Sequence, residues 1–253
     1  MKEKIYTIPV NEAFETSDGC PFCRLKNKLE RERAEYTLGA SMMEPDARML
    51  TNTLGFCDKH FEMIFERPNK LSLALVLETH LDDVRRKIGC AGAGLLKEGT
   101  KKGGIFKKKE NTETEALCTA IDFAVSGCAI CSHVNSTMER YFDVFFYMWE
   151  NDKEFRAKFD KCEGLCLPHY KDAVQKSAQY LKKDAARRFS ASLYEKQCAF
   201  LDGLQEDIHK FTLKFDYRNK DMPWGSAKDA PKRVIGCLSG VTVGDEDNEE
   251  ENR

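Results

Sequence analysis

From Leu71 to Ile88 the apolar residues Leu73, Leu77, Leu81, Val84 and Ile88 recur at steps of three and four, the spacing that gathers them on one face of a helix. Val134, Met138, Tyr141, Phe142, Phe145, Met148 and Trp149 repeat the pattern on a broader face that runs to about Glu150. Phe189, Leu193, Phe200, Leu204, Ile208, Phe211 and Phe215 predict a long helix from about Ala185 to Phe215. At ~1.5 Å per residue it spans ~45 Å.

Shorter helices fill the gaps. Arg24 to Leu38 carries Leu25, Leu29 and Tyr36 near helical spacing and stops at Gly39. Pro45 to Thr53 starts on a proline, whose missing N–H costs nothing in a first turn, and breaks before Gly55. Cys57 and Cys166 each open a further helix, the second with Pro168 in its first turn. Asn151 is placed to cap a helix over Asp152 to Phe159, and a short helix is expected around Val234. Nothing alternates with the period of two that a strand requires, so the expected fold class is all-α.

Two stretches lack a stripe. Residues 91–113 combine Ala91-Gly92-Ala93-Gly94 and Gly103-Gly104 with six lysines between Lys97 and Lys109, the composition of a solvated linker. Gly244 to Arg253 carries six acids and one arginine and reads as a disordered tail. The expected organisation is therefore a helical lobe over 1–90, a linker over 91–113, a second lobe with the long helix over 114–220, and a C-terminal segment over 221–253.

The chemistry is concentrated in a motif written twice. Gly19-Cys20-Pro21-Phe22-Cys23 is answered by Gly55-Phe56-Cys57-Asp58-Lys59-His60-Phe61, and Gly127-Cys128-Ala129-Ile130-Cys131 by Gly164-Leu165-Cys166-Leu167-Pro168-His169-Tyr170. The intervening stretches are 33 and 34 residues long. A CxxC turn brings two sulfurs together, and a CxxH pair at a helix start brings a sulfur and an imidazole to one face. Together they supply the three thiolates and one imidazole that close a tetrahedron around Zn²⁺. Two copies at nearly equal spacing argue for an internal duplication. The expectation is two zinc ions, one held by Cys20, Cys23, Cys57 and His60, the other by Cys128, Cys131, Cys166 and His169.

Four protein ligands leave no position for water, which favours structural over catalytic metal. Cys162 and His133 lie close enough in sequence to the second set to act as spare ligands. An iron–sulfur cluster is the competing occupant, since cysteine and histidine also hold iron. A redox role for Cys20 and Cys23 lacks the βαβ context that such a CxxC requires.

Composition narrows the rest. A net charge of −2 gives no global field toward nucleic acid or an anionic membrane, and 42% apolar with 32% charged residues is ordinary for a globular chain. No signal-peptide core and no apolar run of ~20 residues stands out, which points to the cytoplasm. There, eleven cysteines fit metal ligation better than disulfides. His80, beside the 71–88 stripe, is expected to be a satisfied core residue. The remaining cysteines, Cys90, Cys118, Cys162, Cys198 and Cys237, read as small apolar side chains.

No nucleophile elbow, HExxH or dinucleotide fingerprint is present. The leading expectation is a non-enzymatic binding or adaptor protein with an unidentified macromolecular partner. One alternative is an enzyme using Glu44, Asp46 and Arg48 between the lobes. The other is nucleic-acid binding through the linker lysines.

Ile8-Pro9-Val10-Asn11-Glu12-Ala13-Phe14, Cys20-Pro21-Phe22-Cys23, Met43-Glu44-Pro45-Asp46-Ala47-Arg48, Gly55-Phe56-Cys57-Asp58-Lys59-His60 and Asp216-Tyr217-Arg218-Asn219 together resemble a family of uncharacterised bacterial proteins of unknown function. The resemblance implies a bacterial cytosolic protein and brings no activity with it.

Overall fold

The computed structural model describes residues 4–16, 19–96, 107–219 and 221–241. All regular structure there is helical: α1 (Lys4–Ala13), α2 (Pro21–Leu38), α3 (Pro45–Leu54), α4 (Asp58–Glu66), α5 (Lys70–Gly92), α6 (Lys107–Ser126), α7 (Ala129–Asn151), α8 (Lys153–Lys161), α9 (Leu167–Tyr180), α10 (Lys183–Leu213) and α11 (Ala230–Ser239), with three short 3-10 turns. Among the described residues no single helix is long and apolar enough to cross a membrane.

Most boundaries fall where caps and breakers put them. Cys57 and Cys166 are the N-caps of α4 and α9, and Pro45 and Pro168 sit in first turns. Asn151 is the last residue of α7; it is Asp152 whose carboxylate accepts from the N–H groups of Glu154 and Phe155 and caps α8. In α5 the buried face is Leu73, Val76 and His80, rotated from the leucine stripe, and Leu81 is exposed. His80 is a satisfied core residue, its Nδ1 2.8 Å from the carbonyl of Asn52.

Two helices lacked a readable signal. In α1, with Pro9 inside it, only Val10 and Ala13 are buried, and Arg24 of α2 donates to the carbonyls of Ala13 and Thr16 just beyond. α6 begins at Lys107, inside the expected linker. It packs back along α5, with Leu117 against Gly92 and Lys87 over the ring of Phe123. The glycine–lysine stretch 97–106 and the acidic stretch 244–253 lie outside the described residues.

The chain forms two compact units, Met1–Asn27 with Thr137–Arg253, and Lys28–Ser136. These differ from the contiguous lobes 1–90 and 114–220, and the reason lies in helix length. α2 leaves Cys20 for 18 residues, about 27 Å, and α7 leaves Cys128 for 23 residues, about 35 Å. The helices that follow, α3 with 10 residues and α8 with 9, cover only about 15 Å each. Each long helix starts in one unit and ends in the other.

The units have different interiors. In the first, Phe14, Phe22, Phe142, Phe145, Phe146, Phe155, Phe159 and Phe189 are buried and touch edge-to-face or stacked. In the second, the buried apolar residues are mostly aliphatic, among them Leu29, Leu38, Ile64, Leu73, Val76 and Ile130, with Phe56 as the aromatic member.

Candidate metal centres

All eight motif residues come together, but with the partners exchanged. One cluster is Cys20, Cys23, Cys166 and His169; the other is Cys57, His60, Cys128 and Cys131. In each, one ligand atom per residue lies within 4.8 Å of the other three. The CxxC of the first motif therefore meets the CxxH of the second, and the reverse. The sets expected from sequence proximity, Cys20 and Cys23 with Cys57 and His60, and Cys128 and Cys131 with Cys166 and His169, do not form. Each cluster belongs to a single unit.

The first cluster is built where α2 and α9 begin. Cys20 accepts at its carbonyl from the N–H of Cys23 and Arg24, Cys23 lies in the first turn of α2, and Cys166 caps α9. Cys23 Sγ is 3.4 Å from Cys166 Sγ, and the Nδ1 of His169 is 3.6, 3.3 and 3.1 Å from the sulfurs of Cys20, Cys23 and Cys166. The ring of Phe22 lies against that of His169, centroids 5.8 Å apart. From above comes the C-cap of α11: Gly240, at φ 72°, would place a Cβ 3.4 Å from Cys166 Sγ and 3.7 Å from Cys23 Sγ. Cys23, Cys166 and His169 are buried and Cys20 is half-buried.

The segment leading into Cys166 is strapped to α10. Gln197, fully buried, donates to the carbonyl of Leu165 at 2.9 Å and accepts from its N–H at 3.0 Å. Lys196 donates to the carbonyls of Asp160 and Cys162. Gln197 was findable, for it occupies the empty step in the stripe Phe189, Leu193, Phe200, Leu204.

The second cluster sits where α4 and α7 begin. Gly55 and Gly127 allow it to close. The N–H of Ala129 donates to the carbonyl of Gly55 at 2.9 Å, and a Cβ on Gly127 would come within 2.4 Å of the Leu54 carbonyl oxygen. On the other side of Gly55, at φ 58°, a Cβ would strike the ring of His80 at 2.3 Å. Cys57 Sγ is 3.7 Å from Cys131 Sγ, and the Nδ1 of His60 is 3.2, 3.3 and 3.3 Å from the sulfurs of Cys57, Cys128 and Cys131. His60 and Cys128 are buried; Cys57 and Cys131 are half-buried.

Behind His60 stands Glu30, a carboxylate with 3% exposure. Its Oε1 is 3.6 Å from His60 Nε2 and its Oε2 is 2.6 Å from Lys59 Nζ. A carboxylate beyond the far nitrogen of a histidine orients the ring and raises its basicity, as in metal sites generally. No periodicity marks Glu30.

Crowded donors divide their protons unevenly. Burial opposes a charge on Cys128, but hydrogen bonds from His60 and from the N–H groups of Cys131 and Cys57 bring its thiol down to about 6. Burial and the neighbouring Cys128 push Cys131 up to about 12. Burial alone would lower His60; Cys128 and Glu30 overcome it and raise the imidazole to about 10. In the first cluster Cys20 is held well below the usual thiol range, against burial, by hydrogen bonds from Cys166, Cys23 and His169. Cys23 is raised by Cys166 and Cys20, and Cys166 is pushed up to about 12, chiefly by Cys20. Each cluster thus concentrates charge on one sulfur while neighbours keep protons, which a divalent cation would displace.

A profile for a family of unknown function, DUF6062, matches residues 1–245. The chain belongs to the DUF6062 family. No curated protein and no solved structure matches it.

Other residues of this DUF6062 chain singled out by sequence fall outside both clusters. Cys162 is buried with its thiol 3.4 Å from the Gly164 carbonyl, pushed up to about 11 by burial and by Cys20; His133 is exposed on α7. Glu44 is exposed and accepts from Tyr36 Oη, and Asp46 is exposed in the first turn of α3. Arg48 turns the other way and braces α3 on α5, donating to Thr79 Oγ1 at 2.9 Å and to the Leu75 carbonyl at 3.1 Å. The three residues do not converge.

Proposed function

We propose that this protein is a zinc-stabilised helical scaffold in which two Cys3His sites each hold one structural Zn²⁺, and that it acts by binding another macromolecule in the reducing cytoplasm. The observation that carries the reading is the geometry of the two donor sets. A tetrahedron with bonds of about 2.3 Å to sulfur and 2.0 Å to nitrogen has edges of about 3.8 Å between sulfurs and about 3.5 Å between sulfur and nitrogen. The distances of 3.4 and 3.7 Å between sulfurs, and 3.1 to 3.6 Å between sulfur and nitrogen, match that figure.

Two further features support it. A polynuclear iron–sulfur cluster spreads its ligands over several irons, whereas four atoms within 4.8 Å of one another surround a single ion. Three thiolates and a neutral imidazole leave a Zn²⁺ site with one net negative charge, and each cluster lies at the converging starts of two helices, whose dipoles offset it. The binding role is supported by an apolar groove of about 280 Å³ lined by Phe61, Phe65, Leu73 and Leu77, surface of a kind that partners cover.

Metal analysis of the purified protein tests the reading. The expected result is two zinc ions per chain and no visible absorbance. A brown protein, or zinc well short of two, overturns it.

A further inference from the structure

The two clusters share a donor set and differ in what can reach the sulfurs. In the first, Cys23 and Cys166, 3.4 Å apart, are both buried and both covered by Gly240, and the sulfur of Cys20, though its residue is half-buried, is enclosed by Cys23, Cys166 and His169. In the second, Cys131 meets both Cys128 and Cys57, and it is Cys57 and Cys131, 3.7 Å apart, that are the two half-buried members. The inner members, Cys128 and His60, are buried, and Cys128 Sγ accepts from the N–H of Cys131. Separation alone would favour bond formation in the first cluster. Access favours the second, since a thiolate reacts with an oxidant only where the oxidant can approach it.

We infer that Cys57 and Cys131 form an oxidisable pair that a peroxide converts to a disulfide, releasing the ion of the second cluster while the first keeps its own. The inference rests on the reading that both clusters hold ions. One thiolate of the pair attacks a peroxide oxygen, the O–O bond breaks, and the departing hydroxide takes a proton to become water. The second thiolate attacks the sulfur of the resulting sulfenic acid and displaces hydroxide, which takes one proton from solvent and leaves as a second water. The two sulfurs lose two electrons and the peroxide gains them; the metal stays divalent. The sulfurs need to close from 3.7 Å to about 2.05 Å. Cys128 and His60 alone cannot retain the ion, and the tie between the Gly55 and Gly127 segments is loosened.

The test uses the full chain without substitutions. Native mass spectrometry first counts the ions in the untreated protein, which is then titrated with hydrogen peroxide and followed by ion count, zinc-chelator absorbance and peptide mapping. The expected result is loss of one zinc at least about tenfold faster than the other, with a Cys57–Cys131 linked peptide, reversed by dithiothreitol and added zinc. Fewer than two ions before treatment overturns the metal reading on which the inference stands. Two ions at the start that leave together, or do not leave, or a first disulfide joining other cysteines, overturns the inference itself.

Discussion

The two units hold the same set of ligand atoms, three sulfurs and one imidazole nitrogen, and set them against different interiors. In the unit of 1–27 and 137–253 the cluster abuts a packed aromatic interior, with Phe22 stacked on Phe142 at 4.4 Å and edge-on to Phe145 at 5.2 Å, next to the rings around Phe189. Edge-to-face and offset pairs each add ~0.5–1.5 kcal/mol beyond the area they bury, so this interior has its own cohesion. The unit of 28–136 buries fewer apolar side chains, mostly aliphatic, and large apolar residues stay outside in both units, Phe65, Leu71 and Phe123 in this one and Ile8, Phe215 and Leu238 in the other. On the proposed reading, the unit with the smaller interior draws the larger share of its stability from its ion, because binding free energy at a site absent from the unfolded chain is folding free energy. The same donor set is then expected to act as a reinforcement in the first unit and as a requirement in the second.

Removing a ligand is the harshest way to break that contrast. Cys128→Ser is expected to abolish the cooperative unfolding of 28–136 and to leave the amides of α3 to α6 unprotected in hydrogen exchange. Cys166→Ser should leave its unit folded, with a transition lowered by roughly 4 kcal/mol, the upper range of single-site losses. Urea titrations of the two variants, followed by exchange mass spectrometry, compare them directly. Equal losses would show that the aromatic interior contributes no independence.

The pH response sharpens the contrast next. Metal binding at pH 7 should displace the proton of Cys131, held to about 12, and that of His60, held to about 10. Affinity for the second site therefore rises with pH, at least about a hundredfold per unit between pH 7 and 9, because at least these two protons leave for each ion bound. Below about pH 6, where Cys128 also takes up a proton, the dependence steepens further. In the first cluster protons are displaced from the thiols of Cys23 and Cys166, whereas at the second site the proton contributed by His60 drops out of the balance as pH rises through about 10. Calorimetry in buffers of different ionisation enthalpy measures the count, and a pH-independent affinity would contradict it.

Apart from α1 and α6, the helices and the eight donors were legible because each leaves a local mark: a stripe, a cap, a breaker, a pair of cysteines three apart. The pairing of the donors was not. Proximity in sequence favours closing a 33-residue loop between Cys23 and Cys57, since loop-closure entropy rises with length, but only by about 0.6 kcal/mol per doubling. That preference is slight beside the stiffness of α2 and α7, which carry the chain away from each CxxC and return it to the other motif. Gly55 and Gly127 were visible as glycines flanking cysteines; that each is forced by the close approach of a neighbour, the His80 ring for one and the Leu54 carbonyl for the other, depends on contacts made 25 to 73 residues away. Glu30, with its partners 29 and 30 residues on, had no local signature.

Glu30→Gln gives the mildest of these tests and the most selective. Glutamine keeps the volume and one acceptor oxygen but removes the charge that faces both His60 Nε2 and Lys59 Nζ. Loss of the carboxylate behind a ligating histidine typically costs ~10–100-fold in metal affinity, and no cysteine sulfur is touched. Zinc competition with a chelator should show that loss at the second site and an unchanged first site, whose histidine is backed by the ring of Phe22. Weakening of both sites together would mean that Glu30 acts on the fold at large, and the distinction between a carboxylate-tuned ion and an aromatic-packed one would not stand.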